Sequence, residues 1–301
     1  MKDFNELFLK LEKAEKQKVV LAGAEDPEAM KALAQSCEMG ITKAVLVGDS
    51  KKIEDNMKAI PFNNYEVVHA ENSEDTAEKS VQLISEGAAS VLMKGMIKTA
   101  VLLKAVLNKE WGLRTGNLLS HVAVASTDTL NKLIAITDGG MNLKPTLEEK
   151  VNIIGNAVSL MRSLGIETPR VAPIAAVEVC NPKMPETLDG AILSKMNQRN
   201  QIKHCIVEGP LGLDIALSKF AAKIKGIKGE VAGEADILLV PDIHSGNFLG
   251  KSVEYIGGGT IGGLIMGAKV PIIIVSRADK AQAKLTSIAL GVMNSLTNNE
   301  G

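Results

Sequence analysis

Residues 18–47 read KVVLAGAEDPEAMKALAQSCEMGITKAVLV, and the fold class follows from them. Lys18–Gly23 (KVVLAG) is an unbroken apolar run of the kind that a parallel sheet buries on both faces. Asp26-Pro27 then opens a helix. Asp accepts from the free N–H groups of a first turn, and Pro loses nothing at the first helical position. Gly40 is placed to end that helix in a left-handed conformation, and Lys43–Val47 (KAVLV) is a second apolar strand. Strand, helix and strand at this spacing imply a right-handed crossover between parallel neighbours.

Working outward, the same alternation continues. A helix over Lys51–Ala59 leads to a strand at Tyr65–His69, and Ser73 opens a helix that Gly87 closes. Ala89–Met93 is a fourth strand and Ile97–Lys109 a helix. The rhythm breaks at Glu110–Ser120 (EWGLRTGNLLS), which has two glycines and no period. His121–Ala125 and Lys132–Thr137 are joined by a short connection, which predicts direct antiparallel pairing. From Pro145 the alternation resumes: helix Thr146–Leu164, strand Val171–Ala176, helix Thr187–Asn197, strand His204–Val207, helix Leu213–Ile224 and strand Ile237–Pro241. A glycine-rich stretch (Gly257–Gly267), strand Val270–Val275 and helix Lys280–Leu296 follow. The expected fold is α/β in two lobes with a seam near residues 110–130. The local pattern leaves open which lobe receives the last strand and helix.

Composition narrows the function. The 301 residues carry 34 Lys+Arg against 35 Asp+Glu, a formal net charge of −1, with 46% apolar and 23% charged residues, which excludes wholesale disorder. This balance lacks the footprint of a nucleic-acid binder, and 3% aromatic residues leave few stacking platforms. No apolar run approaches the roughly 20 residues that span a bilayer. The opening segment MKDFNELFLKLEKAEK is amphipathic and charged, unlike a secretory leader. Cys37, Cys180 and Cys205 are odd in number and unpaired by spacing, each among apolar neighbours, which predicts buried thiols in a reducing, cytoplasmic compartment. His69, His121, His204 and His244 are scattered without a zinc spacing, so no metal site is expected.

In open α/β sheets ligands bind beyond the carboxyl ends of strands. The exits here are Gly23–Asp26, Lys94–Thr99 (KGMIKT), Thr137–Asn142 (TDGGMN), Glu208–Asp214 (EGPLGLD), Pro241–Asn247 (PDIHSGN) and Ser276–Asp279 (SRAD). Ser276 and Arg277 after an apolar strand suit an anion at a helix N-terminus, or an ordinary cap beside a solvated Arg. Lys94-Gly95 with Lys98-Thr99 has the same logic without the spacing of a P-loop, and reads equally as a helix start with surface lysines. Arg114 and Thr115, beside two glycines, either reach a phosphate or tie the lobes together. Gly257, Gly259 and Gly262 satisfy GxGxxG, but no strand leads into them. That stretch is expected to be a tightly packed helix rather than a dinucleotide site. His121 and His244 stand as possible bases or as structural histidines. Asp214 and Asp242 are expected to cap helices or position loops.

As an ordered set, KGMIKT, WGLRTGNLLSHVAV, VAPIAAVEVCNPKMPETLDGAILSKM, VEGPLGLDIALS, GEVAGEADILLVPDIHSGN and SRADKAQAKLTSIAL resemble the phosphotransacylase family, with wording closer to its butyryl than its acetyl branch. The resemblance covers about Lys18–Leu296. It implies the isopropylmalate-dehydrogenase-like architecture, with residues 1–120 plus 268–301 in one lobe, 121–267 in the other and a cleft between them. It implies the reaction butanoyl-CoA + phosphate ⇌ butanoyl phosphate + CoA by direct transfer without an acyl-enzyme. CoA is then a substrate, no cofactor is needed, and a homodimer or larger homo-oligomer is expected. By the same resemblance Ser276 stabilises the transition state and Arg277 binds phosphate, with Asp279 standing in for the base. Lys94, Gly95, Thr99, Arg114, Thr115 and Asn247 line the substrates. The acetyl branch carries its aspartate farther past the Ser-Arg pair, where this chain has Gln282-Ala283, and an arginine where this chain has Lys104. Phosphate acetyl transfer is the neighbouring alternative. A dehydrogenase or a silent CoA binder on the same scaffold is the alternative from another class.

Overall fold

The computed structural model describes residues 1–60, 62, 64–275 and 280–298. The chain divides into two lobes, called outer and inner as labels alone: the outer is Phe4–Asn117 with Gly262–Gly301, and the inner is Leu118–Ile261 with Met1–Asp3.

The outer lobe starts with α1 (Phe4–Leu11), which buries Phe4, Leu7, Phe8 and Leu11 on one stripe. Next come β1 (Gln17–Ala22), α2 (Pro27–Glu38), β2 (Thr42–Gly48), α3 (Ser50–Met57), β3 (Tyr65–His69), α4 (Ser73–Ser85), β4 (Val91–Lys94) and α5 (Thr99–Val106). The four strands are parallel, in the order β3-β2-β1-β4. The predicted punctuation holds. Asp26 accepts from the N–H groups of Glu28 and Ala29 at 3.1 Å each, Pro27 opens α2, and Gly40 leaves it at φ +76°. Val19, Val20 and Leu21 of β1 are fully buried, as a strand covered on both faces requires. The helix predicted to reach Lys109 ends at Val106, whose carbonyl takes the Leu113 N–H at 2.7 Å. Asn108 Oδ1 then accepts from Glu110 and Trp111, so the chain turns and sets a half-buried Trp111 in a groove beside Ala77 of α4 and Ala100 of α5.

The inner lobe runs β5 (Ser120–Thr127), β6 (Leu130–Thr137), α6 (Leu147–Ser163), β7 (Arg170–Pro173), α7 (Pro185–Gln198), β8 (Ile206–Val207), α8 (Leu213–Leu217), α9 (Lys219–Ile224), β9 (Ile237–Leu239) and α10 (Ile243–Tyr255). Its strand order is β5-β6-β9-β7-β8. The first pair is antiparallel, as the short connection predicted, and the others are parallel. Thr146 and Glu149 form a reciprocal capping box at the start of α6. A part-buried ion pair joins α6 to α7, with Lys150 Nζ 2.6 Å from Asp189 Oδ2. The single helix expected over Leu213–Ile224 is two, because Ser218 takes an extended conformation and its hydroxyl accepts from Ala221 to cap the second. The helix α10 lies where the sequence pattern gave none.

The chain closes with β10 (Thr260–Met266), β11 (Ile272–Ile273) and α11 (Ala281–Asn298). Strand β11 pairs parallel with β4, Ile273 opposite Met93, and β10 lies antiparallel beside it. The helix expected over Gly257–Gly267 is therefore a strand, and packing explains its glycines. A Cβ on Gly262 would stand 2.7 Å from the Thr286 side chain of α11, and Gly263 N–H donates to Ser287 Oγ at 3.0 Å. Bare backbone at these positions lets α11 lie close on the strand.

Candidate active site

In the outer lobe the exits of β1 and β4 are stitched together by main chain. Gly95 N–H donates to Ala22 O at 2.8 Å and Met96 N–H to Gly23 O at 2.6 Å. Gly23 sits at φ +79°, and a Cβ on it would lie 2.8 Å from the Met96 backbone. A Cβ on Gly95 would collide with the Gly23 carbonyl, so only glycine passes there. Lys94, the last residue of β4, is half-buried and donates to Gly95 O at 3.2 Å. Thr99 is exposed at the first position of α5, and its N-cap Lys98 makes no side-chain cap, so the first N–H groups of α5 remain open to an anion.

Arg114 and Thr115 belong to a short ribbon in the same lobe. Arg114 forms an antiparallel bridge with Ala268, and Lys269 N–H donates to Leu113 O at 2.9 Å. Thr115 Oγ1 donates to Gly267 O at 2.5 Å and accepts from Asn117, so its hydroxyl is committed to the ribbon. The Arg114 side chain is exposed. This ribbon immediately precedes β11, which pairs parallel with β4. Ser276, Arg277 and Asp279 lie outside the described residues. An open pocket of about 440 Å³ over the ends of β1 to β4 is lined by Glu25, Asp49, Lys52 and Glu71 with Met96 and Ile97. Three carboxylates against one lysine disfavour phosphate there. Lys94 and Lys98 of the Lys94–Thr99 segment and Arg114 of the ribbon are the candidate phosphate-binding cations among the described residues of this lobe.

Asn247 lies in the inner lobe, exposed in the second turn of α10. Asp242 caps that helix, accepting from the Ser245 N–H at 2.8 Å and hydroxyl at 2.9 Å. The Ser245 N–H, aided by the hydroxyl, holds the Asp242 carboxyl below the usual range against the opposing effect of burial. Asp214, in the first turn of α8, is likewise held low by its hydrogen bond to Lys225. Asp242 therefore caps a helix, and Asp214 ties α8 to Lys225 at the end of α9.

The inner-lobe residue that sequence reasoning passed over is Asp138. It is 1% exposed at the exit of β6 and accepts five hydrogen bonds. Its Oδ1 takes Gly140 N–H at 2.8 Å and Met141 N–H at 2.9 Å. Its Oδ2 takes His121 N–H at 3.1 Å, Asn142 N–H at 3.2 Å and Asn142 Nδ2 at 2.7 Å. The available signal was an Asp directly after an apolar strand with Gly-Gly behind it, which suits an Asx-type turn. Gly139 rests on Gly246 of α10, where a Cβ on either would stand 2.5–2.6 Å from the other's backbone. His121 lies against Gly140, with His244 exposed and its ring centroid 6.1 Å from that of Phe248.

Among the described residues no group of three or more His, Cys, Asp and Glu side chains is placed to hold a metal ion. The cysteines differ from one another: Cys205 is buried and Cys37 half-buried, whereas Cys180 is exposed, contrary to the expectation of three buried thiols. Cys180 follows a short strand into a surface loop, where apolar neighbours such as Val179 are themselves 63% exposed. Burial pushes the Cys205 thiol up to about 11.

This chain is 46% identical over 295 residues to the phosphate butyryltransferase of Clostridium acetobutylicum, covering 97% of this chain and 98% of that one. It is 39% identical over 292 residues to the phosphate acetyltransferase of Thermotoga maritima, covering 96% and 99%. Among solved structures, a branched-chain phosphotransacylase from Enterococcus faecalis V583 superposes with a TM-score of 0.82 at 31% identity, over 93% of this chain and 99% of that one. The 4-hydroxythreonine-4-phosphate dehydrogenase of Klebsiella pneumoniae shares the fold alone, with a TM-score of 0.58 at 15% identity over 93% and 100% of the two chains. The model of the phosphate acetyl/butaryl transferase family matches residues 3–82 and 63–292. Glycine-stitched strand exits, candidate phosphate-binding cations and a match along nearly the whole length lead to one statement: the chain belongs to the phosphate acetyl/butaryl transferase family.

Proposed function

We propose that the chain transfers a butanoyl group between CoA and inorganic phosphate, butanoyl-CoA + phosphate ⇌ butanoyl phosphate + CoA, in a ternary complex without an acyl-enzyme. The observation that carries this reading is the 46% identity to a phosphate butyryltransferase over 97% of the chain. In the direction of thioester synthesis the CoA thiol loses its proton, attacks the acyl-phosphate carbonyl and expels phosphate. The enzyme must then donate hydrogen bonds to a developing oxyanion and neutralise a dianion. Arg277 and Arg114 supply the forked cations for phosphate, with Lys94 and the open N–H groups of α5 beside Thr99 adding to the same field. Ser276 donates to the oxyanion, and Asp279 takes the thiol proton. Gly95 lets the β4 exit approach the β1 exit, Thr115 fixes the Arg114 ribbon, and Asn247 lines the substrates. Holding both reactants in line lowers the barrier by up to roughly 7–11 kcal/mol through orientation.

CoA is a substrate in this reading, and no cofactor takes part. The compartment is the cytoplasm, where CoA thioesters meet a reduced protein. Among the described residues no helix is long and apolar enough to cross a membrane. The working form is a homodimer or larger homo-oligomer. Support comes from α10, which buries only Gly246 and exposes Phe248, Tyr255 and, just beyond it, Ile256, at 65%, 65% and 85%.

Release of free thiol from butanoyl-CoA, with and without phosphate and repeated with acetyl-CoA, tests the reaction. Phosphate-dependent release that is faster with butanoyl-CoA supports it. Preference for acetyl-CoA moves the chain to acetyl transfer, the second reading that the Thermotoga maritima relative favours. Release with neither thioester overturns acyl transfer altogether.

A further inference from the structure

We propose that Asp138 is a positioning residue for the transfer reaction, holding the Gly139–Asn142 turn so that His121 and the first turns of α10 stand in fixed register beyond the exit of β6. The proposal rests on the acyl-transfer reading above.

The carboxylate is a hub rather than a reactant. Its two oxygens already accept five N–H bonds, and the residue is 1% exposed, so neither substrate nor a departing proton reaches it. What it organises is broader than its own turn. His121 is gripped at both ends of its peptide unit: its N–H is held by Asp138, and its carbonyl accepts from Thr137 Oγ1 at 2.8 Å. Asn142, held by Asp138 through both N–H and side chain, passes the tie to Leu119, whose carbonyl takes the same Nδ2 at 2.9 Å. The turn is then coupled to α10 twice. Gly139 touches Gly246 backbone to backbone, and Ile243 N–H donates to Leu143 O at 3.0 Å. A shift of the turn therefore moves the helix that carries His244 and Asn247. Two backbones packed without a Cβ between them leave no slack to absorb it.

Replacing the carboxylate by an amide keeps the shape but removes the charge and turns an NH₂ toward groups that are all donors. Asp138→Asn is expected to lower kcat for butanoyl-CoA phosphorolysis by roughly 100-fold, the effect of about 1 Å of misplacement, while KM changes less than threefold, because the residue touches neither reactant. Hydrogen exchange at the Gly140, Met141 and Asn142 amides is expected to accelerate in the same variant. Asn142→Ala removes one of the five bonds, that from Nδ2, together with the Nδ2 bond to Leu119 O, and serves if Asp138→Asn does not fold; roughly a tenfold loss in kcat is expected of it. Gly246→Ala presses on the same contact from the other side, and its effect should be less than additive with Asp138→Asn. Variants assayed well below their unfolding temperature that retain wild-type kcat overturn the positioning role. So does a loss confined to KM. A wild-type chain with no phosphate-dependent thiol release overturns the acyl-transfer reading and this proposal with it, whereas an active wild type beside an equally active folded variant overturns this proposal alone.

Discussion

At the exits of β1 and β4 the outer lobe ties one exit to the other through main-chain groups: Gly95 and Met96 donate to Ala22 and Gly23, and the close fit admits no side chain at Gly95. At the exit of β6 the inner lobe instead gathers the N–H groups of His121 in β5 and of the Gly140–Asn142 turn onto the buried carboxylate of Asp138. Both solutions meet the demand that buried backbone donors be satisfied. They differ in what breaks them: the first fails when atoms are added, and the second when a charge is removed.

The sharpest test of that contrast is Gly95→Ala. A methyl forced against the Gly23 carbonyl has no rigid-body escape, and a destabilisation of about 3 kcal/mol is expected in urea unfolding, at the upper end of overpacking. A cost below about 1 kcal/mol would show that the outer exits yield. Next in size is Lys150→Met in the inner lobe, which strands Asp189. Fully buried pairs cost roughly 3–5 kcal/mol when broken. With the Asp189 side chain 27% exposed, about 2 kcal/mol is expected, recovered when Asp189→Leu is added. If the second change gives no recovery, dependence on charge does not extend beyond the strand exits.

Asp242→Ala removes one cap from α10 and should cost about 1 kcal/mol at neutral pH. Because the folded carboxyl is held low, its contribution is complete above about pH 4, the unfolded range, and disappears as pH falls through the depressed folded value. Unfolding at neutral and acidic pH should therefore find wild type and variant converging in acid. A constant gap would assign the loss to packing. The smallest effect is chemical rather than energetic. A thiol reagent should label exposed Cys180 at once and Cys205 only when the inner lobe opens, and Cys180→Ser should leave stability unchanged. With Cys37 in the outer lobe also shielded, the order in which Cys37 and Cys205 become reactive in rising urea reads which set of exits gives way first.

The residues that were legible in sequence are those whose structure is locally determined. Asp26, Pro27 and Gly40 frame α2 because a cap, a fixed φ and a left-handed exit are properties of single residues. β10 was misread because its glycines answer to α11: Gly262 is small for Thr286, 24 positions away, and the run GGLIM carries no alternation to mark a strand. α10 was missed for a related reason. Its large side chains Phe248 and Tyr255 face outward, so the apolar stripe that announces a helix is weak. In the candidate site, Lys94, Gly95, Thr99 and Arg114 were found because strand exits can be read from the pattern, and Thr115 proved to be a fastener of its own ribbon. Asp138 lay within a quoted exit, yet its importance comes from the His121 amide, 17 residues back along the chain, and no local rule reveals that bond.

The turn at Asn108 that sets Trp111 beside α4 and α5 has an optical consequence. It is the single tryptophan of the chain and it belongs to the outer lobe, while the two tyrosines are divided, Tyr65 outer and Tyr255 inner. Emission excited at the red edge of the protein's absorption therefore watches one lobe alone, and the other is dark. Set against circular dichroism, which sees every helix, the same titration separates the two lobes without a label: coincident curves mean one cooperative molecule, and displaced curves mean two.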